Sequence, residues 1–307
     1  MTSSDAIEIS GLSCRFGRVF AVDQLNLNVP RGAVYGFLGL NGAGKTTTIR
    51  SLMGLQLPGS GSLRVLGLDP VKQPLAVREA VGYVPDVPRF IEWMTLHELM
   101  ALVAHYRPSR WNHRRAHHLV ATFDLTLGQR VDTMSKGQRA KVALLLALAF
   151  EPEVLILDEP IGGLDPLARR NFFESVLREY MDGDQTVFIS SHLINEIAGL
   201  VDHVGILKNG RLMRSQPTEE LLAGLRRVRL TFDGAAPLPA DVRAVRMQAE
   251  GRNLEVIIDA FEAARDLPPL QALKPSMLDV QPLTLEDAFV ELMQDKAVPA
   301  HLEVAAS

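Results

Sequence analysis

Near the start of the chain, Ile7 and Ile9 alternate with Glu8 and Ser10, and Leu25, Leu27 and Val29 alternate with Asn26 and Asn28. Successive side chains of a strand point to opposite faces, so this period of two predicts half-buried strands. After the turn Pro30-Arg31-Gly32 the pattern changes to an almost continuous apolar run, Val34-Tyr35-Gly36-Phe37-Leu38. Such a run suits a strand buried on both faces, as in a parallel sheet. Two further runs of this kind are Val154 to Leu157 and Thr186 to Ile189. Between them the period is helical. Ile49, Leu52 and Met53 follow a Gly-rich loop, and Leu96, Leu99, Met100 and Val103 share one face of a stretch predicted helical from about Thr95 to Leu127. Val142 to Phe150 is apolar all round, which predicts a deeply packed helix; it is less than half the ~20 residues that a membrane-spanning helix needs. Strands alternating with helices define an α/β fold around a mostly parallel sheet. Lys208-Asn209-Gly210-Arg211 predicts an Asn-Gly hairpin.

Beyond Pro217 the order is different. Val228, Leu230 and Phe232 alternate with polar residues, Asn253 to Ile258 is another strand, and Thr284 with Asp287 caps a helix whose apolar face holds Leu285, Ala288, Phe289, Leu292 and Met293. Residues 225–297 therefore form a small α+β domain. Arg226-Arg227-Val228-Arg229 is expected to be a basic, surface-facing strand edge.

Composition narrows the class without choosing within it. The 307 residues, 47% hydrophobic and 22% charged, have room for one large domain or two ordinary ones and exclude a disordered or fibrous chain. Thirty-two Lys and Arg against 36 Asp and Glu give a net charge of −4, so no global cationic field exists to hold nucleic acid or an anionic membrane surface. The single cysteine, Cys14, excludes an intrachain disulfide and a thiolate metal cluster and fits a reducing compartment. Met1 to Asp5 lack the pattern of a signal peptide.

Candidate chemistry begins at Gly39-Leu40-Asn41-Gly42-Ala43-Gly44-Lys45-Thr46, which fits G-x-x-x-x-G-K-[ST] between a buried strand and a helix. Glycines let the backbone curl so that several N–H groups converge on phosphate oxygens, and the following helix aims its positive end at the same anion. Gly39, Asn41, Gly42, Ala43, Gly44, Lys45, Thr46 and Thr47 are the candidate phosphate-binding residues. Lys45 would neutralise β- and γ-phosphate charge and the Thr46 hydroxyl would bind Mg²⁺. Val154-Leu155-Ile156-Leu157-Asp158-Glu159 is an apolar strand ending in two carboxylates. Asp158 offers a hard oxygen ligand for Mg²⁺, and Glu159 stands where it would polarise an attacking water. A solvated acidic strand end is a fair alternative for this segment alone, but not once it is joined to the Gly-rich loop.

Together with Thr133-Met134-Ser135-Lys136-Gly137-Gln138, these segments resemble the ATP-binding cassette family. The family's signature is usually Leu-Ser-Gly-Gly-Gln; Met-Ser-Lys-Gly-Gln is a variant associated with exporter-type cassettes. The resemblance implies that Ser135, Gly137 and Gln138 face the γ-phosphate of ATP held by a second cassette in a head-to-tail dimer. Ser135 also fits an ordinary helix N-cap. Gly163-Leu164-Asp165-Pro166 resembles the D-loop, which implies that Asp165 lies between the two sites; Ser190-Ser191-His192 resembles the segment whose His192 reaches the γ-phosphate. Phe16 stands where the family stacks an aromatic ring on adenine, although taken alone it reads as a core residue. Gly82-Tyr83-Val84-Pro85-Asp86 resembles the Q-loop with one departure: the family usually has glutamine where Asp86 stands, and Asp86 is a candidate Mg²⁺ ligand.

The resemblance implies a P-loop cassette over residues 5–220, with N-terminal antiparallel strands, a mostly parallel core sheet and a helical subdomain at about 87–150. It further implies an ATPase that binds ATP and Mg²⁺, pairs with a second nucleotide-binding subunit as a homodimer, and lies on the cytoplasmic side of a membrane under separate transmembrane permease subunits. The signature variant and Leu283-Thr284-Leu285-Glu286-Asp287-Ala288-Phe289 in the tail favour export. No nucleic-acid partner is expected. The alternative from another class is a soluble cassette ATPase acting on ribosomes or nucleic acid; such relatives carry two cassettes, a coiled coil or a zinc insertion, and none is evident here. A sensor that binds ATP without turnover is disfavoured by Glu159 and His192. His113 and His117 share a helix face and suggest a metal, but no third ligand is evident and a solvated face is the better reading.

Overall fold

The computed structural model describes residues 5–160, 169, 172, 185–239 and 242–294. In the first part of the chain the strands are β1 Asp5–Phe16, β2 Val19–Pro30, β3 Val34–Leu38, β4 Ser60–Val65, β5 Val81–Val84, β6 Val154–Asp158, β7 Thr186–Ser191, β8 His203–Lys208 and β9 Arg211–Pro217. The helices are α1 Lys45–Leu52, α2 Pro74–Ala80, α3 Leu96–Tyr106, α4 His113–Thr122, α5 Lys136–Leu148 and α6 Ile194–Ile197. The second part contains α7 Thr218–Gly224, β10 Arg226–Thr231, β11 Arg246–Glu250, β12 Asn253–Ile258, α8 Ala263–Gln271, β13 Met277–Pro282 and α9 Leu285–Met293. Contacts divide the chain between Ser215 and Gln216 into two units.

The first unit holds two sheets. The period-two stretches β1 and β2 pair antiparallel, with β4 on the other side of β1. The apolar runs enter a six-stranded sheet of order β5-β6-β7-β3-β8-β9. Neighbours from β5 to β8 run parallel, and β3, β6 and β7 are buried along their whole length. The β8–β9 connection is the Asn-Gly hairpin, with Asn209 at φ 50° and Gly210 at φ 79°, the two left-handed residues that a tight hairpin turn takes. A single core of Leu27 (β2), Tyr35 and Phe37 (β3), Ile49 (α1), Ile156 (β6) and Phe188 (β7) joins the two sheets. The Phe188 ring stacks on Tyr35 and tilts against Phe37, with centroids at 5.6 and 5.2 Å.

The stretch predicted as one helix from Thr95 to Leu127 is two. Pro108 disfavours the α conformation at Arg107, which lies at φ −132°, ψ 51°, and Asn112 then caps α4 by accepting a hydrogen bond from Arg115 N at 2.9 Å. The apolar segment from Val142 forms most of α5, which packs on β5, α3 and α4 and ends by Glu151 at φ 52°. Among the described residues no helix is long and apolar enough to cross a membrane.

The second unit has an antiparallel sheet of order β11-β12-β10-β13. One face carries Val228, Leu230, Leu254, Val256 and Ile258, which share a core with Phe232 and with Leu270 of α8. The expectation for Arg226 to Arg229 is corrected here. β10 is a central strand, not an edge, and Arg227 is mostly buried, facing Glu255, Asp287 and the buried Glu291 at 3.3–3.6 Å. Period-two arginines mark a face of a sheet; they do not tell whether acidic residues from other elements cover it. Helix α9 is capped as its sequence predicts, with Thr284 and Asp287 bonding reciprocally.

Candidate nucleotide site

The parallel order β5-β6-β7-β3 sets four loops side by side at the carboxyl ends of neighbouring strands: Pro85-Asp86, Glu159-Pro160, His192-Leu193 and Gly39 to Gly44. The crevice outside those ends is where open α/β sheets bind ligands.

Two glycines let the loop after β3 curl. Gly44 has φ +108°, and a Cβ there would lie 2.3 Å from the Ala21 carbonyl oxygen; Gly39 approaches the Leu207 backbone so closely that a Cβ would sit 2.8 Å from its oxygen. Ala43 is buried, with its N–H bonded to Leu40 O at 3.1 Å, whereas Asn41 and Gly42 are exposed. Helix α1 starts at Lys45, so its unpaired N–H groups face the loop. Thr46 and Thr47 follow in its first turn, partly buried.

Lys45 is only 6% exposed. Its Nζ donates to Gly39 O at 2.5 Å and Leu40 O at 3.2 Å and lies 3.1 Å from Glu159 Oε1 as an ion pair without hydrogen-bond alignment. The other Glu159 oxygen meets His192 Nδ1 at 2.7 Å. Glu159 reaches this position because the chain turns sharply past β6: its φ is 48°, a left-handed conformation that is strained for a non-glycine residue, and its N–H is held by Ser190 O at 3.2 Å and Ser190 Oγ at 3.1 Å.

Asp158 is the register partner of Ser190 and is 1% exposed. Its Oδ1 accepts hydrogen bonds from Ser190 Oγ at 2.7 Å and Thr46 Oγ1 at 3.3 Å. Burial nevertheless raises its pKa above the ordinary carboxylate value, and the charges of Asp86 and Glu159 push the same way. Tyr83 in β5 is pushed up to about 12, chiefly by burial, with Asp158 and Asp86 adding. Asp86 is therefore within electrostatic reach of Asp158. Three acidic groups, Asp158, Asp86 and Glu159, thus act on one another electrostatically, and Lys45 is paired with Glu159.

That donor set fits Mg²⁺. A hard cation takes hydroxyl and carboxylate oxygens, and Mg²⁺ commonly uses one or two carboxylates beside phosphate and water. Thr46, Asp158 and Asp86 supply such oxygens. Among the described residues no three His, Cys, Asp or Glu side chains form a preassembled metal cluster. His113 and His117 are both exposed on α4.

The remaining candidates are placed apart from this network. Phe16 is 52% exposed at the β1–β2 hairpin and is not a core residue. Ser135 caps α5: its Oγ accepts from Gln138 N at 3.2 Å while Gln138 Oε1 accepts from Ser135 N at 3.0 Å, and Gln138 Nε2 donates to Gln129 Oε1 at 3.1 Å. Gly137 lies in the first turn of α5. Asp165 falls outside the described residues. Sequence reasoning gave no role to Ser190, whose hydroxyl binds Asp158 and Glu159 together. Aligning the ends of β6 and β7 would have placed it opposite Asp158.

A Gly-rich loop opening a helix beside two strand-end carboxylates defines a P-loop nucleoside triphosphatase. The family model described as ABC transporter matches residues 22–162. The chain is 36% identical to the bacitracin transport ATP-binding protein BcrA of Bacillus licheniformis, over 71% of this chain and 72% of that protein. It is 33% identical to the daunorubicin resistance ATP-binding protein DrrA3 of Streptomyces coeruleorubidus, over 94% of this chain and 96% of the other. A solved structure described as an ATP-binding subunit of an ABC transporter superposes with TM-score 0.65 at 29% identity, covering 71% of this chain and 92% of that one. The chain belongs to the ATP-binding subunits of the ATP-binding cassette transporters, and it is an ATPase of that family. As such a subunit it binds ATP, dimerises and works with membrane permease subunits.

Proposed function

We propose that two copies of this chain close head to tail around two ATP molecules and that hydrolysis reopens them, driving outward transport by permease subunits on the cytoplasmic side of a membrane. The observation that carries this reading is the bonded set Lys45–Glu159–His192 beside Thr46–Asp158–Ser190, drawn from the ends of three adjacent strands, β6, β7 and β3. The cassette extends over 5–220 with its helical subdomain at about 87–150, and 225–297 is the separate C-terminal domain. Outward transport is supported by the Met-Ser-Lys-Gly-Gln signature and by the drug-related names of BcrA and DrrA3.

Within this reading the Gly39–Gly44 amides and Lys45 hold the phosphates, and Phe16 offers its exposed ring to adenine. Thr46, Asp158 and Asp86 hold Mg²⁺, which when bound offsets phosphate charge. Glu159 takes the proton of the attacking water, and His192, hydrogen-bonded to it, fixes its direction. Ser135, Gly137 and Gln138, with Asp165, complete the site of the opposing copy. A phosphate-release assay on mixed subunits tests the arrangement. Ser135→Arg retains nucleotide binding and loses turnover, and mixing it with Lys45→Ala leaves at most one competent site per dimer. If Ser135→Arg abolishes ATP binding by the single chain, the head-to-tail model is wrong.

A further inference from the structure

The segment that follows Asp86 is tied to the segment that precedes Ser135, and one ion pair closes the tie. Pro85, Pro88, Arg89 and Phe90 line a cavity of about 290 Å³ with Tyr83 and Arg107. Just beyond them, Glu92 grips Arg139 through both carboxylate oxygens: Arg139 Nη1 donates to Oε1 at 3.0 Å and Nη2 donates to Oε2. Arg139 Nη2 also donates to Val131 O at 3.1 Å. The backbones reinforce the contact, with Asp132 N donating to Glu92 O at 3.0 Å and Val131 N to Met94 O at 2.9 Å. On the other side, Arg139 N donates to Ser135 O at 3.0 Å, within the first turn of α5.

Bidentate arginine–carboxylate geometry fixes direction as well as distance, which a lone backbone hydrogen bond does not. The loop before Ser135 has only the short turn Val131–Thr133 as regular structure, and the cap that Ser135 makes with Gln138 is internal to α5, so the side-chain tie from this loop and helix to the Glu92 segment runs through Arg139. Val87 and Trp93 on the Glu92 segment are exposed, whereas Val131 and Met134 on the facing loop are buried, so the ion pair adds direction to a contact that is partly apolar.

We propose that Glu92 and Arg139 are a positioning pair, which holds Ser135 and Gln138 in register with the opposing copy's nucleotide and links that register to the cavity-lining segment. The inference rests on the head-to-tail reading above. The pair touches no reacting atom, so its effect is on closure and not on nucleotide capture by one chain.

The test compares Glu92→Gln, Arg139→Glu and the exchanged pair Glu92→Arg with Arg139→Glu. Readouts are fluorescent-nucleotide binding to the single chain, phosphate release as a function of subunit concentration, and thermal melting. Glu92→Gln is expected to bind nucleotide as wild type does, while turnover at fixed subunit concentration falls about two- to fivefold and half-maximal turnover moves to higher subunit concentration. The exchanged pair is expected to recover turnover relative to Arg139→Glu. Wild-type turnover and concentration dependence in Glu92→Gln, with Ser135→Arg inactive, would overturn the pair alone. Wild-type turnover in Ser135→Arg would instead remove the head-to-tail reading beneath it. Parallel loss of nucleotide binding and melting temperature in Glu92→Gln, or no recovery in the exchanged pair, would reduce the contact to a structural one and overturn the proposal.

Discussion

Asp158→Asn is expected to make the protein more stable at neutral pH and to weaken its Mg²⁺-dependent chemistry. Two donors favour the ionised carboxylate, Ser190 Oγ at 2.7 Å and Thr46 Oγ1 at 3.3 Å, and hydrogen bonds to a charged group are worth ~1.5–3 kcal/mol against ~0.5–1.5 for neutral ones. Burial opposes them, as do the charges of Asp86 and Glu159, and the opposition prevails, since the pKa is raised. A raised folded pKa means that the folded chain binds the proton more tightly than the unfolded one. Its stabilising contribution is therefore complete below the ordinary value of 3.8 and is lost as pH rises through the raised value. At pH 7 the ionised group is a net liability. An asparagine keeps an acceptor for Ser190 and Thr46 without the charge, for a gain on the order of 1 kcal/mol, or ~2–4 °C in melting temperature for a domain of this size. Melting curves of both proteins from pH 4 to 8 measure it. The advantage of the variant should shrink as pH falls through the raised value, where wild-type Asp158 becomes neutral too. A variant less stable than wild type at pH 7 would show that the two hydrogen bonds outweigh burial.

Glu159→Gln should retain ATP binding while turnover falls at least ~10²-fold, and an ATP-bound dimer should accumulate on size-exclusion chromatography; near wild-type phosphate release would remove Glu159 from the mechanism. Gly44→Ala forces a Cβ to 2.3 Å from Ala21 O at φ +108°, so it should destabilise the fold by more than ~1–3 kcal/mol and abolish nucleotide binding, both read by melting with and without ATP. For Asp86, ATP affinity should depend more steeply on Mg²⁺ in wild type than in Asp86→Gln, because the charge is tolerable beside phosphate only when a cation offsets it; superimposable titrations would turn Asp86 away from the nucleotide.

What the sequence disclosed follows from how local each signal is. Period-two alternation in β1 and β2 and the unbroken apolar runs of β3, β6 and β7 state burial directly, because a strand's own residues record which faces are covered. The caps at Ser135 and Thr284 are equally local, each completed within three residues. Pro108 was a local stop signal inside an apparently continuous helical period, and its effect on Arg107 outweighed the periodicity on either side. Arg227 and Ser190 were illegible for a different reason. Their partners, Asp287 and Glu291 for one and Asp158 for the other, lie in other elements, and only strand order and register bring them together.

The same distinction separates the two halves of the catalytic reading. Lys45, Thr46, Asp158, Glu159 and His192 are fixed by one sheet, whose parallel register puts Asp158 beside Ser190 and Leu38 beside Ser191. A rigid sheet holds such groups within the tolerance that a preorganised site requires. Ser135 has no sheet beneath it. It begins a helix, its own cap is made with Gln138, and its loop and helix are joined to the neighbouring segment by two backbone hydrogen bonds and by the side chains of Arg139 and Glu92, which are 25% and 53% exposed. A partly exposed bidentate pair fixes direction but lacks the stiffness of a sheet, because water competes for its atoms. The nucleotide-holding half of the site is therefore stiff and the half that must meet another subunit is adjustable, which is the distribution a cycle of closing and reopening needs. Replacing Glu92 and Arg139 by a tightly packed apolar pair should then slow reopening more than it helps closure, and turnover would fall although the signature loop is better ordered.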